Sequence, residues 1–155
     1  ELQAGKVIKL ITTAELRAKA EAGDPKAQAS LGLKIINGAD GLRMNPQATE
    51  KLWLRAARQG HIIAQMNLGL LYSRSALGEK DLAKAYRWAK LSLQRGNQRA
   101  KQLVENLEKD LTPEQIAEAD AFVKAFKPVP EKNEGVEESA TEPTNPDPTS
   151  PAKKF

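Results

Sequence analysis

Apolar residues recur every three or four positions along most of this chain. Ala27, Leu31 and Ile35 form one stripe, and Ala48, Leu52 and Ala56, with Trp53 and Ala57 adjacent, form the next. Ala64, Leu68 and Tyr72 follow, then Ala100, Leu103, Val104 and Leu107, and finally Ile116, Ala119, Phe122, Val123 and Phe126. A period near 3.6 predicts amphipathic helices. Punctuation falls where such helices need it. Thr12 with Glu15, and Thr112 with Gln115, read as capping boxes. Asp24-Pro25, Asn45-Pro46 and Thr112-Pro113 place a capping side chain before a proline at the first helical position, where its missing N–H costs nothing. Gly23, Gly60 and Gly96 stop helices, and Pro128 and Pro130 end the last one. Seven short helices with tight turns, and no convincing strand, are predicted between residues 12 and 127.

The pattern repeats. Gly23, Gly60 and Gly96 lie 37 and 36 residues apart, as do Ala27, Ala64 and Ala100, and Leu31-Gly32 is echoed by Leu68-Gly69. A sustained period of this length signals stacked helical hairpins, because one hairpin cannot bury its apolar stripe alone. Gly32 and Gly69 sit inside helices, where glycine costs about 1 kcal/mol relative to alanine. They are expected where a neighbouring helix approaches too closely for a Cβ, with the hairpins sharing one continuous apolar seam.

Residues 1–11 show no clear period and form an N-terminal extension. From Pro128 to Phe155 the composition shifts to Pro, Glu, Thr, Ser and Asn. A segment so poor in apolar side chains cannot offset its ordering entropy, so a disordered tail is expected. Two PxxP spacings, Pro143–Pro146 and Pro148–Pro151, lie within it and suit a tether or solvated tail. The formal charge of +4 divides unevenly: the tail is net −3, leaving +7 on the body. Spread over many helices, that surplus reads as solvated surface; a nucleic-acid face is the lesser alternative. There is no cysteine, hence neither a disulfide framework nor a thiolate metal site. No apolar run approaches the roughly 20 residues needed to span a bilayer. A start at Glu1 rather than Met hints at a processed, exported product.

The sequence Gly60-His61-Ile62-Ile63-Ala64-Gln65-Met66-Asn67-Leu68-Gly69-Leu70-Leu71-Tyr72, followed by Asp81, Lys84-Ala85, Trp88 and Gly96, resembles the Sel-one-like repeat (SLR), a relative of the tetratricopeptide repeat. Residues 23–60 match through Asp24, Ala27-Gln28, Leu31-Gly32 and the run Lys51 to Gly60. Thr49 stands where alanine is usual, Leu52 where tryptophan is usual, and Trp53 at a position normally held by another aromatic. Ser92-Leu93 replaces paired alanines, and Ser73-Arg74-Ser75 replaces a glycine-containing turn. The resemblance covers residues 12–127, with full repeats at about 23–60 and 60–96, flanking half-repeats and a capping helix. It implies an all-α fold, an α-α superhelix forming a right-handed solenoid of antiparallel hairpins. It also implies a noncatalytic adaptor or regulator, bacterial and periplasmic or secreted, that holds a protein or peptide partner on its concave face. A cytoplasmic location is the alternative.

Candidate chemistry is sparse. His61 is the one histidine and reads as a turn or capping residue. No phosphate-binding glycine loop appears, and no cofactor or metal ligand set is identified. Some cysteine-rich relatives are associated with β-lactam binding; this chain lacks those cysteines. Trp53, Trp88, Tyr72 and Tyr86 have the spacing of core residues rather than of a base-stacking platform. A cell-envelope hydrolase acting on wall material and a weak nucleic-acid binder stand as the alternatives to an adaptor. With Ala27, Leu31, Ile35, Ala64, Leu68 and Tyr72 facing the core, the opposite face presents Lys26, Ser30, Leu33, Asn37, Ile63, Asn67, Leu70 and Arg74. Arg99 and Asn106 continue it in the third hairpin. These ten residues are the expected partner groove: amide and guanidinium groups for a partner's backbone and carboxylates, with leucines for apolar contact.

Overall fold

A computed structural model describes residues 11–131. The N-terminal extension up to residue 10 and the tail from residue 132, with both PxxP spacings, lie outside the described residues. Among the described residues there are seven α-helices and no strand: α1 (Thr13–Glu21), α2 (Pro25–Ile36), α3 (Pro46–Arg58), α4 (Ile62–Tyr72), α5 (Leu82–Gln94), α6 (Lys101–Glu108) and α7 (Pro113–Ala125). Short 3-10 turns at Ala39–Gly41, Ser75–Leu77 and Gln98–Ala100 join three of the pairs. The fold is an α-α superhelix in which consecutive helices from α1 to α6 pack against one another, and α7 packs onto α5.

The caps expected from sequence all form. The Thr12 and Thr112 side chains accept from the Glu15 and Gln115 amides in reciprocal capping boxes. Asp24, Asn45 and Asp81 accept from amides in the first turns of α2, α3 and α5, each such cap contributing about 1 kcal/mol. Gly23, Gly60 and Gly96 carry φ of 101°, 94° and 102°, a backbone conformation that a side chain disfavours. The repeat is thus marked by one obligatory left-handed turn after α1, α3 and α5. The third hairpin opens differently from the first two, whose α2 and α4 follow directly on Asp24 and His61. Asn97 accepts from the Arg99 amide at 3.2 Å, so the chain makes a 3-10 turn before α6 starts at Lys101.

Hairpins close on small residues. A Cβ on Gly32 would lie 2.4 Å from Trp53 Nε1, and one on Gly69 would lie 3.0 Å from Ala89 Cβ and 3.1 Å from the Ala85 carbonyl. Trp53 and Ala89 hold the same repeat position, so a glycine faces an indole in one hairpin and a methyl in the next. Hydroxyls tie the same interfaces. Thr49 Oγ1 donates to the Gly32 carbonyl (3.2 Å) and Ser92 Oγ to the Ile62 carbonyl (2.8 Å). Trp53 Nε1 donates to the Ala29 carbonyl at 3.1 Å.

The expected single seam is divided. Leu16, Ala20, Ala27, Leu31 and Ile35 form one buried cluster between α1 and α2. Ala29, Trp53 and the buried residues of α3 to α7 form the other. Gln28 and Thr49 are buried polar residues of α2 and α3, and α2 turns Ala29 towards Trp53 while its Leu31 stripe clusters with Leu16 and Ala20 of α1. Ala48 and Leu52 of α3 pack against the first cluster, while Trp53, Ala56 and Ala57 of the same helix belong to the second.

Gly32→Ala is expected to destabilise the protein by about 1–3 kcal/mol, because a rigid indole occupies the space of the new methyl. The loss should shrink in a Trp53→Leu background. Urea denaturation of the four chains measures both the single cost and the coupling.

Candidate functional site

The outward residues of the first helix in each hairpin come from α2, α4 and α6. Lys26, Ser30, Leu33, Asn37, Ile63, Arg74, Arg99 and Asn106 are exposed, and Asn67 and Leu70 are half-buried. Leu33 and Ile63 are the two large apolar side chains among them that remain well exposed, at 49% and 44%. Asn106 Oδ1 accepts from Gln102 Nε2 at 3.0 Å within α6. The residues taken as core-facing on the same helices, Ala27, Leu31, Ile35, Ala64, Leu68 and Tyr72, are all buried.

The aromatic side chains belong to the core. Trp53, Trp88, Tyr72 and Tyr86 are buried, which leaves no exposed ring among them for base stacking. Tyr72 donates to Glu50 and Tyr86 to Glu108, each at 2.7 Å. Trp88 meets Phe122 and Phe126 edge-on at 5.2 and 6.3 Å, while the Arg87 and Arg95 guanidiniums stack over Phe122 and Phe126 at 4.9 Å. These contacts fasten α7 to α5.

His61 is the N-cap of α4, its Nδ1 accepting from the Ala64 amide at 3.1 Å. Burial, with the nearby Lys26 charge, holds its pKa below the ordinary 6.5 against the weaker opposing pull of Asp24. Only the neutral ring can accept this bond.

A second group of polar side chains converges where α1, α2 and α3 meet. Gln28 is fully buried; its Nε2 donates to the Ala20 carbonyl (3.1 Å) and to Glu131 Oε2 (3.0 Å). Gln59 Nε2 donates to the Gly23 carbonyl (2.9 Å) and to Gln28 Oε1 (3.0 Å). Arg55 grips Glu131 in bidentate fashion, Nε to Oε1 at 2.9 Å and Nη2 to Oε2 at 2.8 Å. That carboxylate raises the Arg55 pKa, keeping the guanidinium charged. Glu131 donates its own backbone N–H to Gln59 Oε1 (3.1 Å), and Val129 donates its N–H to the Arg58 carbonyl (2.9 Å). Residues 128–131, expected to begin the disordered tail, therefore lie along the body as a short strap. No period or motif in the sequence marks this cluster as a whole. Its one local signal was a glutamine repeated at offset 37, Gln28 and Gln65, on the apolar side of its helix.

The second repeat carries the same glutamine without the cluster. Gln65 Nε2 donates to the Ala57 carbonyl at 3.1 Å, as Gln28 does to Ala20, but the buried Gln65 Oε1 has no protein partner. Leu91 and Arg95 hold the positions of Arg55 and Gln59.

Among the described residues no group of three or more His, Cys, Asp or Glu side chains is placed to hold a metal ion, and no helix is long and apolar enough to cross a membrane.

No protein-family model and no curated protein matches the chain. A solved structure does: c5321, a protective antigen of uropathogenic Escherichia coli strains that displays an SLR fold, superposes with a TM-score of 0.69 at 26% identity. The match covers 74% of this chain and 24% of that protein, so the chain spans about a quarter of its length. The chain has a Sel-one-like repeat fold, and is a helical repeat protein.

Two outcomes follow from the geometry. Folding favours neutral His61, so its contribution should be complete above pH 6.5 and fall away as pH drops through 6.5 towards the lower folded-state value. His61→Asn keeps a capping acceptor without the titration, so its melting temperature should fall less than the wild type's between pH 7.5 and pH 5. Separately, Gln28→Leu removes the amide's bonds to the Ala20 carbonyl, Glu131 and Gln59 and should cost about 1–3 kcal/mol. Gln65→Leu, which also removes an unpaired oxygen, should cost less; denaturant titration compares the two.

Proposed function

We propose that this SLR solenoid is a noncatalytic adaptor or regulator that binds a protein or peptide partner across the outward sides of α2, α4 and α6. The observation that carries the reading is the exposure of Leu33 and Ile63 among Lys26, Asn37, Arg74 and Arg99. Equivalent repeat positions recur along this side: Lys26, Ile63 and Arg99 occupy one, and Leu33, Leu70 and Asn106 another. A row of like-placed side chains, offset by one hairpin at a time, suits an extended ligand that meets the same backbone frame repeatedly. Its apolar members anchor, while guanidinium, ammonium and amide groups favour a partner bearing carboxylates. We assign the adaptor to the bacterial cell envelope, as a periplasmic or secreted protein, on the SLR resemblance.

The test pairs capture with stability. Asn67→Ala combined with Arg74→Ala should reduce capture of the partner from envelope extracts at least several-fold. Its stability should change by no more than about 0.5 kcal/mol per site, the usual scale for surface positions. Equal capture by the double variant rejects this face. Retention on nucleic acid that falls steeply with salt, unchanged by the two substitutions, would favour the basic body instead.

A further inference from the structure

Glu131 enters a site that the body has already built. Its three partners are each aimed by a main-chain carbonyl at the end of α1: Gln28 Nε2 by Ala20 (3.1 Å), Arg55 Nη2 by Glu21 (3.4 Å) and Gln59 Nε2 by Gly23 (2.9 Å). The strap takes no part in those bonds. With the strap lifted away, Gln28 would still present one N–H, Arg55 its Nε–H and Nη2 fork, and Gln59 one carbonyl oxygen. That set matches an ionised carboxylate together with the backbone N–H of the same residue. With Glu131 in place Gln28 is fully buried, so once a carboxylate is seated the bond forms with little competition from water.

The ligand's conformation can be read from the strap. Backbone donors two residues apart, Val129 to the Arg58 carbonyl and Glu131 to Gln59 Oε1, hold it in place. Pro128 lies against Gly60, where an added Cβ would come 3.2 Å from the proline Cβ. An open depression of about 450 Å³, lined in part by Lys19, Gly23, Asp24, Gln59 and Glu131, adjoins the carboxylate and leaves room for chain to continue.

We propose that Gln28, Arg55 and Gln59 form a peptide-docking site, separate from the outward face of α2, α4 and α6, for an extended segment bearing a glutamate. In the isolated chain Glu131 fills it in cis, so the strap is an autoinhibitory pseudo-ligand. The ligand class is an extended acidic peptide of the Pro-Val-Pro-Glu type. The second repeat cannot bind it, because Leu91 and Arg95 stand where Arg55 and Gln59 supply the fork and the acceptor.

The probe is the blocked peptide Lys-Pro-Val-Pro-Glu-Lys, titrated into the full chain while NMR follows the side-chain N–H signals of Gln28, Gln59 and Arg55. A tethered competitor acts at about millimolar effective concentration. Glu131→Ala should therefore bind the peptide at a concentration about tenfold or more below that needed with the wild type. Glu131→Gln, which keeps the volume and removes the charge, should behave alike. Adding Arg55→Ala to either variant should abolish the response, and a peptide with Gln in place of Glu should bind at least severalfold more weakly. The proposal is overturned if the peptide moves none of these signals at about 10 mM in either variant. It is equally overturned if wild type and variants respond alike, or if the Gln peptide binds as well as the acidic one.

Discussion

The architecture depends on how closely the two helices of a hairpin approach. At Gly32 the Trp53 indole occupies the space of a Cβ, and at Gly69 a Cβ would press on Ala89 and the Ala85 carbonyl at 3.0–3.1 Å. Alanines 56, 57, 64, 85 and 89 are fully buried because larger side chains would separate the axes. The carbonyls exposed by such close contact are then within reach of short hydroxyl side chains. Thr49 and Ser92 both stand where the repeat pattern leads one to expect alanine, and both donate to a carbonyl of the neighbouring helix. A departure that looks like weakened packing in the sequence is therefore a gain of one hydrogen bond, of the order of 1 kcal/mol, with little change in volume.

The two hairpins solve the same packing problem with different materials. In the first, an indole covers the glycine and reaches across to the Ala29 carbonyl. In the second, an alanine covers the glycine, and the tryptophan stands one residue earlier, against the aromatic rings of α7. Moving the indole by one position rotates it by about 100° around the helix. That rotation takes it from the interface within the hairpin to the interface with the next.

Local chemistry was legible in the sequence because its signals lie within a few residues of their effects. A cap is read from a side chain and an amide two or three residues on, and a stripe from a spacing of three or four. The left-handed glycines and the two buried glycines announced themselves through the repeat. Longer-range polar pairing left no such trace. Glu131 meets Gln28 across 103 residues and Arg55 across 76, and no period connects those positions. The Pro- and Glu-rich composition that argued for a disordered tail is also the composition of an extended strap, whose order comes from a receptor elsewhere in the chain. The outward face of α2, α4 and α6 is legible only by elimination, as what remains once the core stripe is drawn.

Why the acidic strap returns to the first repeat and not the second follows from what each edge already holds. Arg95, at the position of Gln59, is stacked over Phe126, and Leu91, at the position of Arg55, is core. The edge of the second hairpin is thereby engaged in fastening α7. The first hairpin has no aromatic helix against its edge, and its equivalent positions carry an amide and a guanidinium whose directions are fixed by the end of α1. Once α7 is seated, the chain leaving Phe126 passes Gly60, where the missing side chain admits Pro128, and Glu131 then reaches the guanidinium. The helix that closes the stack therefore also delivers the carboxylate. Occupancy of that edge is governed by the contest between a tethered glutamate and any free one.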